Sequence, residues 1–330
     1  MFAAGGSGGH IFPALEVAKR LPQDFQAIFI CSRNQLDEKI LANAGVEFFP
    51  IFTGKLRRYF SWENFLDLLR FPLGILQSLL LLWRIRPKAI FSKGGFASLP
   101  VCLAGWVLRI RVILHESDWQ MGLANRVASK FAHAVLHNFA GENVVGLPVA
   151  REILNGKSRR IFPNRKPLIF CVGGSQGAGQ INSLVRQVAG KIPANFIVQT
   201  GRGKNIFQEK QWPNLRAFEF LTAKQIGDFL HSCQVVVSRA GASFIAEIAA
   251  AGKPLVLLPL PGHQSENAKF LKKSGAARIA TAQVEHFQTA LQETLGNKSL
   301  QKSLAKNLHS FFRADSAKRI AAVVVKAALP

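Results

Sequence analysis

Gly5-Gly6-Ser7-Gly8-Gly9-His10 follows a short apolar stub and brings glycines, a hydroxyl and one imidazole into six residues. Glycines let the main chain turn tightly and approach a ligand closely. A helix beginning behind them presents N–H groups and a positive dipole end to an anion. No Gly-Lys-Ser/Thr follows, so the loop is not a P-loop, and its spacing is too compressed for a dinucleotide fingerprint. His10, read as the loop tip before a helix starting near Pro13, is a candidate base or substrate contact; the alternative is a local cap. Gly173-Gly174-Ser175-Gln176-Gly177-Ala178 repeats the arrangement in the second half. There Ser175 and the N–H groups after it could hold a phosphate; the alternative is a simple tight turn.

Further chemistry sits at expected strand ends. Arg239-Ala240-Gly241-Ala242 follows VVVS, and Glu247 lies one or two turns into the next helix, amid small apolar residues. A carboxylate there is placed to accept both hydroxyls of a ribose, against the reading of an ordinary surface glutamate. PLPGHQSEN supplies His263, Gln264 and Asn267, neutral hydrogen-bonders suited to sugar hydroxyls or to plain loop polarity. His115-Glu116-Ser117-Asp118 follows VIL, with Gly122-Leu123-Ala124-Asn125 after it. Asp118 could orient a sugar hydroxyl or assist a base; the alternative is helix capping by Ser117 or Asp118. Lys93-Gly94-Gly95-Phe96 is another glycine turn at a strand end. The histidines are scattered and no Asp-x-Asp pair follows a strand, so neither a metal nor a cofactor is expected. Helix dipoles and Arg239 would stabilise a leaving diphosphate instead.

These groups need elements to position them. Short apolar β-branched runs at 1–4, 27–31, 48–52, 89–92, 112–115 and 134–138 alternate with helix-length segments at 13–20, 36–44, 62–83, 99–108 and 123–131. That alternation predicts a doubly wound parallel α/β domain. It lapses over the polar, basic, proline-bounded residues 147–167, then restarts. Strands are expected at 168–172, 196–199, 216–220, 235–238 and 255–259, with helices at 242–251, 265–274, 284–295 and a basic one over 300–329. The expected domains are 1–148 and 149–330, two Rossmann-like halves, each opening with strand, glycine loop and helix.

Composition narrows the setting. A chain of 330 residues suits two domains, and 48% hydrophobic residues can fill two cores. Lys and Arg number 42 against 19 Asp and Glu, a formal charge of +23, which implies a polyanionic partner. The basic residues are spread along the chain, which favours a basic folded surface over a nucleic-acid arm. Four cysteines, far apart and within apolar runs, read as buried reduced thiols. The first loop follows the opening residues almost at once, so no secretory signal is expected. The most apolar run, residues 68–83, is shorter than the ~20 residues of a spanning helix and carries Arg70 and Pro72. It reads as a surface or core helix.

Taken in order, GGSGGHIFPAL, GGFASLP, HESDWQMGLAN, GGSQGAGQIN, RAGASFIAEIAAAGKP and HQSENA closely resemble the MurG family of peptidoglycan glycosyltransferases over nearly the whole chain. The combination is specific, whereas each motif alone is not. The resemblance implies the GT-B architecture, two Rossmann-like domains facing across a cleft. It also implies inverting, metal-independent transfer of GlcNAc from UDP-GlcNAc to the undecaprenyl-pyrophosphoryl-muramoyl-pentapeptide lipid, converting lipid I to lipid II. By resemblance His10 is the general base and faces the acceptor diphosphate, in a loop with Gly6, Ser7, Gly9, Gly94 and Gly95. Donor contacts would come from Ser7, Gly8, Gly9, Asp118, Ser175 and Gln176, from Leu221 main chain at the uracil, from Arg239 and Ala242 beside the phosphates, and from Glu247 at the ribose. His263 and Gln264 fall on a pair of sugar-contacting glutamines, so only Gln264 keeps the amide. Asp118 stands where many relatives carry asparagine. Gly146-Leu147-Pro148-Val149-Ala150 resembles the family's Gly-Asn-Pro-Val-Arg with Asn and Arg replaced, and Arg151 falls one position late.

The resemblance also gives meaning to residues 55–86, where Arg57, Arg58, Tyr59, Phe60, Arg70 and Phe71 accompany a leucine-rich helix. Such a patch would dock on an anionic membrane surface, against the reading of a core helix with a solvated basic face. The expected location is the cytoplasmic face of the bacterial plasma membrane. Lipid I and other cell-wall synthesis proteins are expected partners, and nucleic acid is not. The rival readings are another GT-B lipid glycosyltransferase, a UDP-GlcNAc epimerase, or a basic membrane-binding protein without activity on the same scaffold.

Overall fold

The structure, a computed structural model, describes residues 1–54, 62–95, 97–174, 177–208 and 211–329, with the backbone alone over 62–69. Runs such as FIC, VIL and VVV are apolar on both sides, which suits strands covered on both faces. They form two six-stranded sheets, parallel throughout. The first holds β1 (Phe2–Ala4), β2 (Ile28–Ser32), β3 (Glu47–Ile51), β4 (Ala89–Gly94), β5 (Arg111–Glu116) and β6 (Ala134–His137) in the order β3-β2-β1-β4-β5-β6. The second holds β7 (Leu168–Val172), β8 (Asn195–Gln199), β9 (Leu215–Phe218), β10 (Val235–Ser238), β11 (Leu255–Leu257) and β12 (Arg278–Ile279) in the order β12-β11-β10-β7-β8-β9. Read from β9, the second order repeats the first, and both are Rossmann windings. In each sheet the crossover direction reverses beside the opening strand, where such sheets bind ligands.

Helices α1 (Gly8–Ala18), α2 (Gln35–Asn43), α3 (Trp62–Ile85), α4 (Ser98–Val107) and α5 (Leu123–Ala128) belong to the first unit, and α6 (Arg151–Leu154), α7 (Gly179–Val188), α8 (Ala223–Ser232), α9 (Ala242–Ala251), α10 (His263–Lys273), α11 (Val284–Gly296) and α12 (Lys298–His309) to the second. The expected 300–329 helix is two. The chain breaks after α12, and α13 (Ser316–Ala328) packs Ile320, Ala321, Val324 and Ala327 with Phe2, Phe29, Phe91 and Ile11 in a core of the first sheet. The compact units are therefore Met1–Pro148 with Arg313–Pro330, and Val149–Phe312. The terminal helix falls within the expected 149–330 domain and by sequence could pack on either; it belongs to the first because its apolar face completes that core. Arg111 Nη1 donates to the carbonyls of Ala327 and Leu329 and holds its end.

Two other expectations change. Helix α1 starts five residues before Pro13, which sits inside it. The expected 62–83 helix is present as 62–85 and runs through Pro72. Two short elements went unread, α6 in the basic junction and the two-residue β12, as did α8, whose capping box joins Thr222 and Gln225. No helix of the described residues is long and apolar enough to cross a membrane. All four cysteines are free and buried, and burial pushes the Cys102 thiol up to about 11.

Candidate active site

At the first switch point, the register between β1 and β4 slips so that Ala4 lies opposite Gly94. This brings the turn after β4 against the turn after β1. Gly94 and Gly95 have φ of +97° and +90°, which favours glycine. A methyl on Gly95 would lie 2.0 Å from the Gly5 carbonyl oxygen and 3.1 Å from His10 Cδ2. One on Gly94 would lie 3.3 Å from Asn125 Nδ2 and 3.6 Å from His10 Cε1. The imidazole therefore rests on bare backbone. His10 is not at a loop tip: Ser7 is the extended N-cap, and His10 sits in the first turn of α1 with its N–H donated to the Ser7 carbonyl at 3.1 Å. That places its ring in the positive end of the helix field.

Two residues the sequence reading missed shape this loop. Asp37, wholly buried on α2, accepts the Gly6 N–H at 2.6 Å, and a methyl on Gly5 would lie 2.8 Å from the same carboxylate. Glu116, at the end of β5, accepts the Asp118 N–H at 2.9 Å, the Gly122 N–H at 3.2 Å and Asn125 Nδ2 at 2.8 Å. It gathers the loop over 118–125 and places Asn125 beside Gly94. Neither Ser117 nor Asp118 caps α5, whose N-cap is Gly122. Beneath the turn, buried Lys93 donates to Ser117 Oγ. His115 Nε2 lies 2.9 Å from the Gly146 carbonyl, and burial first and Lys93 second hold the ring well below the usual imidazole range. Gly146 opens the Leu-Pro junction with φ +78°, and the altered Ala150 is the N-cap of α6, with Arg151 exposed after it.

The second switch point has a different lining. Ser175 and Gln176 lie outside the described residues, as do Phe96 and the stretch 55–60 with Arg57, Arg58, Tyr59 and Phe60. Around the loop, Gly177 has φ +68°, and a methyl there would lie 2.1 Å from the Thr200 carbonyl oxygen. Asn182 of α7 donates to the carbonyls of Thr200 and Lys204 at 3.0 and 3.1 Å. The turn after β8 is thus fastened under the glycine loop, an anchor with no signal in the local sequence. After β10, Arg239 is buried and donates Nη1 to the Leu258 carbonyl at 2.7 Å, while its Nε has no acceptor. Burial lowers its pKa. A guanidinium held by one bond with donors to spare is set to take an anion.

Asn267 donates to the Ala240 carbonyl at 3.0 Å, and Gln264 Oε1 accepts the Leu260 N–H at 3.2 Å. Both ride on α10 with His263 as its first residue, so the helix starts two residues before the expected 265 and takes in His263 and Gln264. Ala242 opens α9 behind Gly241. Glu247 of α9 keeps part of its surface exposed, yet its carboxyl lies deep, and burial pushes it up to about 8. Leu221 follows β9 with its side chain buried, so what it offers a ligand is main chain; its neighbour Phe220 is exposed. Among the described residues no group of three or more His, Cys, Asp or Glu side chains is placed to hold a metal ion.

Two Rossmann windings, each with a glycine loop and a helix N-terminus at its switch point, define the double-domain α/β scaffold of GT-B glycosyltransferases. The chain belongs to glycosyltransferase family 28: residues 1–137 match that family's N-terminal domain and residues 168–320 its C-terminal domain. It is 38% identical, over 84% of its length and 83% of the relative's, to a UDP-N-acetylglucosamine–N-acetylmuramyl-(pentapeptide) pyrophosphoryl-undecaprenol N-acetylglucosamine transferase of Treponema denticola. The Borreliella burgdorferi protein of the same name is 32% identical over 98% of this chain and 96% of its own. Among solved structures, Acinetobacter baumannii MurG superposes with a TM-score of 0.77 at 26% identity, covering 99% of this chain and 98% of that one. A Listeria monocytogenes protein described as a putative UDP-N-acetylglucosamine 2-epimerase shares the fold alone, at 12% identity and a TM-score of 0.68 over 98% of this chain and 95% of that one.

Proposed function

We propose that this chain transfers GlcNAc from UDP-GlcNAc to undecaprenyl-pyrophosphoryl-MurNAc-pentapeptide, with inversion, and thereby makes lipid II for peptidoglycan. The observation that carries this reading is full-length similarity to transferases of that name in a chain that keeps His10, Arg239, Glu247 and Gln264 at switch points. The donor belongs on the second unit. Its diphosphate would meet the 173–178 loop, the α7 N-terminus and Arg239. Its ribose would meet Glu247, its uracil the Leu221 main chain, and its sugar Gln264.

The acceptor belongs on the first unit, with its diphosphate at the Gly5–His10 loop. The muramoyl C4 oxygen gives its proton to His10, with Asp118 as orienting group. That oxygen forms a bond to the anomeric carbon from the face opposite UDP. The bond from that carbon to the β-phosphate oxygen breaks, and UDP leaves with the electron pair. Arg239 and the helix dipole stabilise the charge that develops on it.

The same reading accounts for α3. Its outer face carries Leu73, Leu76, Leu80 and Trp83, 49%, 54%, 59% and 64% exposed, in one helical stripe flanked by exposed Arg70, Arg84 and Arg86. Its inner face holds Ser78, Leu82 and Gly74, the last so close to β3 that a methyl would lie 2.2 Å from the Phe52 carbonyl oxygen. An apolar stripe with a basic rim suits the surface of an anionic bilayer, where the lipid acceptor resides.

Transfer of labelled GlcNAc from UDP-GlcNAc to a soluble lipid I analogue tests the activity, and His10→Ala tests the base. A loss of at least ~10²-fold in kcat is expected for a missing general base. Equal turnover in both proteins would remove His10 from that role, and no turnover in the wild type would sink the acceptor assignment.

A further inference from the structure

Lys93 is a buried cation beside the first glycine turn that the reaction just described leaves unused. It is the second-to-last residue of β4, directly before Gly94 and Gly95, and is 1% exposed. Its ammonium donates to Ser117 Oγ, and the Ser117 carbonyl is held in turn by Asn138 Nδ2 at 3.0 Å. The next strand ends in Glu116, itself buried, with Asp118 two residues on. The Glu116 carboxylate bonds Asn125, which lies against Gly94 in the wall on which His10 rests. A diphosphate brought to the Gly5–His10 loop would meet the negative field of these carboxylates. Lys93 directly precedes the glycine turn, and its ammonium is bonded to Ser117, the residue between Glu116 and Asp118. A lysine is costly to bury, and this one is kept at 1% exposure with a neutral hydroxyl as its acceptor.

We propose that Lys93 is a positioning residue for the acceptor: its ammonium, behind the Gly94–Gly95 turn, offsets the Glu116 and Asp118 carboxylates so that the His10 site accepts a diphosphate. The inference rests on the acceptor assignment made above. Burial lowers the ammonium to about 8, against the pull of Glu116 and then Asp118, so its charge is present at neutral pH and lost as pH rises through about 8.

The other groups around β4 do not provide this cation. On β5, His115 is kept neutral by burial and by Lys93 itself, with His137 a lesser influence. From β1, the Met1 ammonium donates to the Ala89 carbonyl at the far end of β4 and is lowered by burial to about 5. From α4, Ser98 bonds the Gly94 and Ala3 carbonyls, and the Cys102 thiol is raised to about 11. From α1 come His10 and Glu16, the latter paired with Lys19. From α13 the charged Lys318, Arg319 and Lys326 face outward.

The test is steady-state transfer to a soluble lipid I analogue at saturating UDP-GlcNAc, with melting temperature and UDP-GlcNAc affinity as controls for the fold. Lys93→Met should raise the acceptor KM about tenfold, the scale of one unit charge removed across a wall of low dielectric, and leave UDP-GlcNAc affinity unchanged. Lys93→Met combined with Glu116→Gln should recover most of that KM, because the second change removes the excess negative charge and keeps an acceptor oxygen at that position. A packing role would not be rescued by deleting a carboxylate. An unchanged KM in Lys93→Met, or a double variant no better than the single one, would overturn the proposal. Should Lys93→Met not fold, the wild type decides: its acceptor kcat/KM should fall as pH rises through about 8, and a flat profile there refutes the role. A wild type that transfers nothing to the analogue would instead bring down the acceptor assignment, and this inference with it.

Discussion

The two switch points share a winding and differ in what lines them. In the first, ionisable groups are buried around the glycine loop: Asp37 beneath Gly6, Glu116 under the 118–125 loop, and Lys93 and His115 behind the turn. In the second, the fastening is done mostly by neutral amides. Asn182 holds the turn after β8, Asn267 holds Ala240, and Gln264 holds Leu260. Among the described residues the ionic groups of that site are Arg239, which has donors to spare, and Glu247, whose carboxyl burial raises. The backbone supplies the same anion-seeking geometry twice, from turn and helix dipole. Side chains then divide the work. On the proposed assignment, the site that moves a proton is wired with charges, while the one that grips the sugar nucleotide keeps its strong groups available for the ligand.

Matched alanines at the two glycine turns should break this symmetry most severely. Gly95→Ala puts a methyl 2.0 Å from the Gly5 carbonyl and requires an alanine at φ +90°. Displacing the His10 wall by even ~1 Å should cost about 10²-fold in acceptor turnover. UDP-GlcNAc affinity, read by calorimetry, should persist. Gly177→Ala is the mirror case, with its methyl 2.1 Å from the Thr200 carbonyl and φ +68°. It should lose donor affinity first. If both variants lost donor affinity alike, the division between the units would be wrong.

A smaller effect, with a pH signature, is expected at Glu247. Its carboxyl is raised by burial to about 8, so the folded state favours the protonated form. The stabilisation is complete below the ordinary carboxylate value near 4.5 and is lost as pH rises through about 8. Glu247→Gln cannot ionise. The variant should therefore gain melting temperature relative to the unliganded wild type as pH rises from 5 to 9. The ribose diol needs the ionised acceptor, so wild-type UDP affinity should rise towards and past pH 8. Glu247→Gln should bind about 10- to 100-fold more weakly, the scale of hydrogen bonds to a charged group, with no such rise. A pH-independent wild type would remove Glu247 from the ribose.

What the sequence made legible follows from the range of the physics involved. Glycines at positive φ and both-face apolar strands are local requirements, and they announced both loops and nearly every strand. Arg239 and Glu247 were readable because each stands alone in small apolar surroundings. Asp37 was not, since it acts on an amide 31 residues away. Glu116 was quoted within HESD, but its three donors converge only once the loop folds back. The placement of α13 depends on Arg111 reaching a carbonyl 218 residues on, and no window of sequence holds both ends. Pro13 was read as a helix limit, yet it lies inside a helix whose packing outweighs one missing N–H.

The mildest change is expected on α3, where the two units differ again: the first shows an apolar stripe with a basic rim. Leu76 and Leu80 are 54% and 59% exposed, so replacing them should move stability by no more than about 0.5 kcal/mol. Partition onto vesicles containing anionic lipid is another matter. Each leucine that enters the interface should contribute about 1 kcal/mol, a fraction of full side-chain burial. Arg84, as a cation near an anionic surface, should contribute a similar ~1 kcal/mol. Leu76→Gln/Leu80→Gln should therefore bind such vesicles about 30-fold more weakly, and Arg84→Gln about fivefold more weakly with the loss erased by salt. Turnover of the soluble analogue should stay near wild type in all of them. If the leucine pair and the wild type co-sedimented equally with vesicles, the stripe would be no membrane surface, and the acceptor would have to reach the first unit by another face.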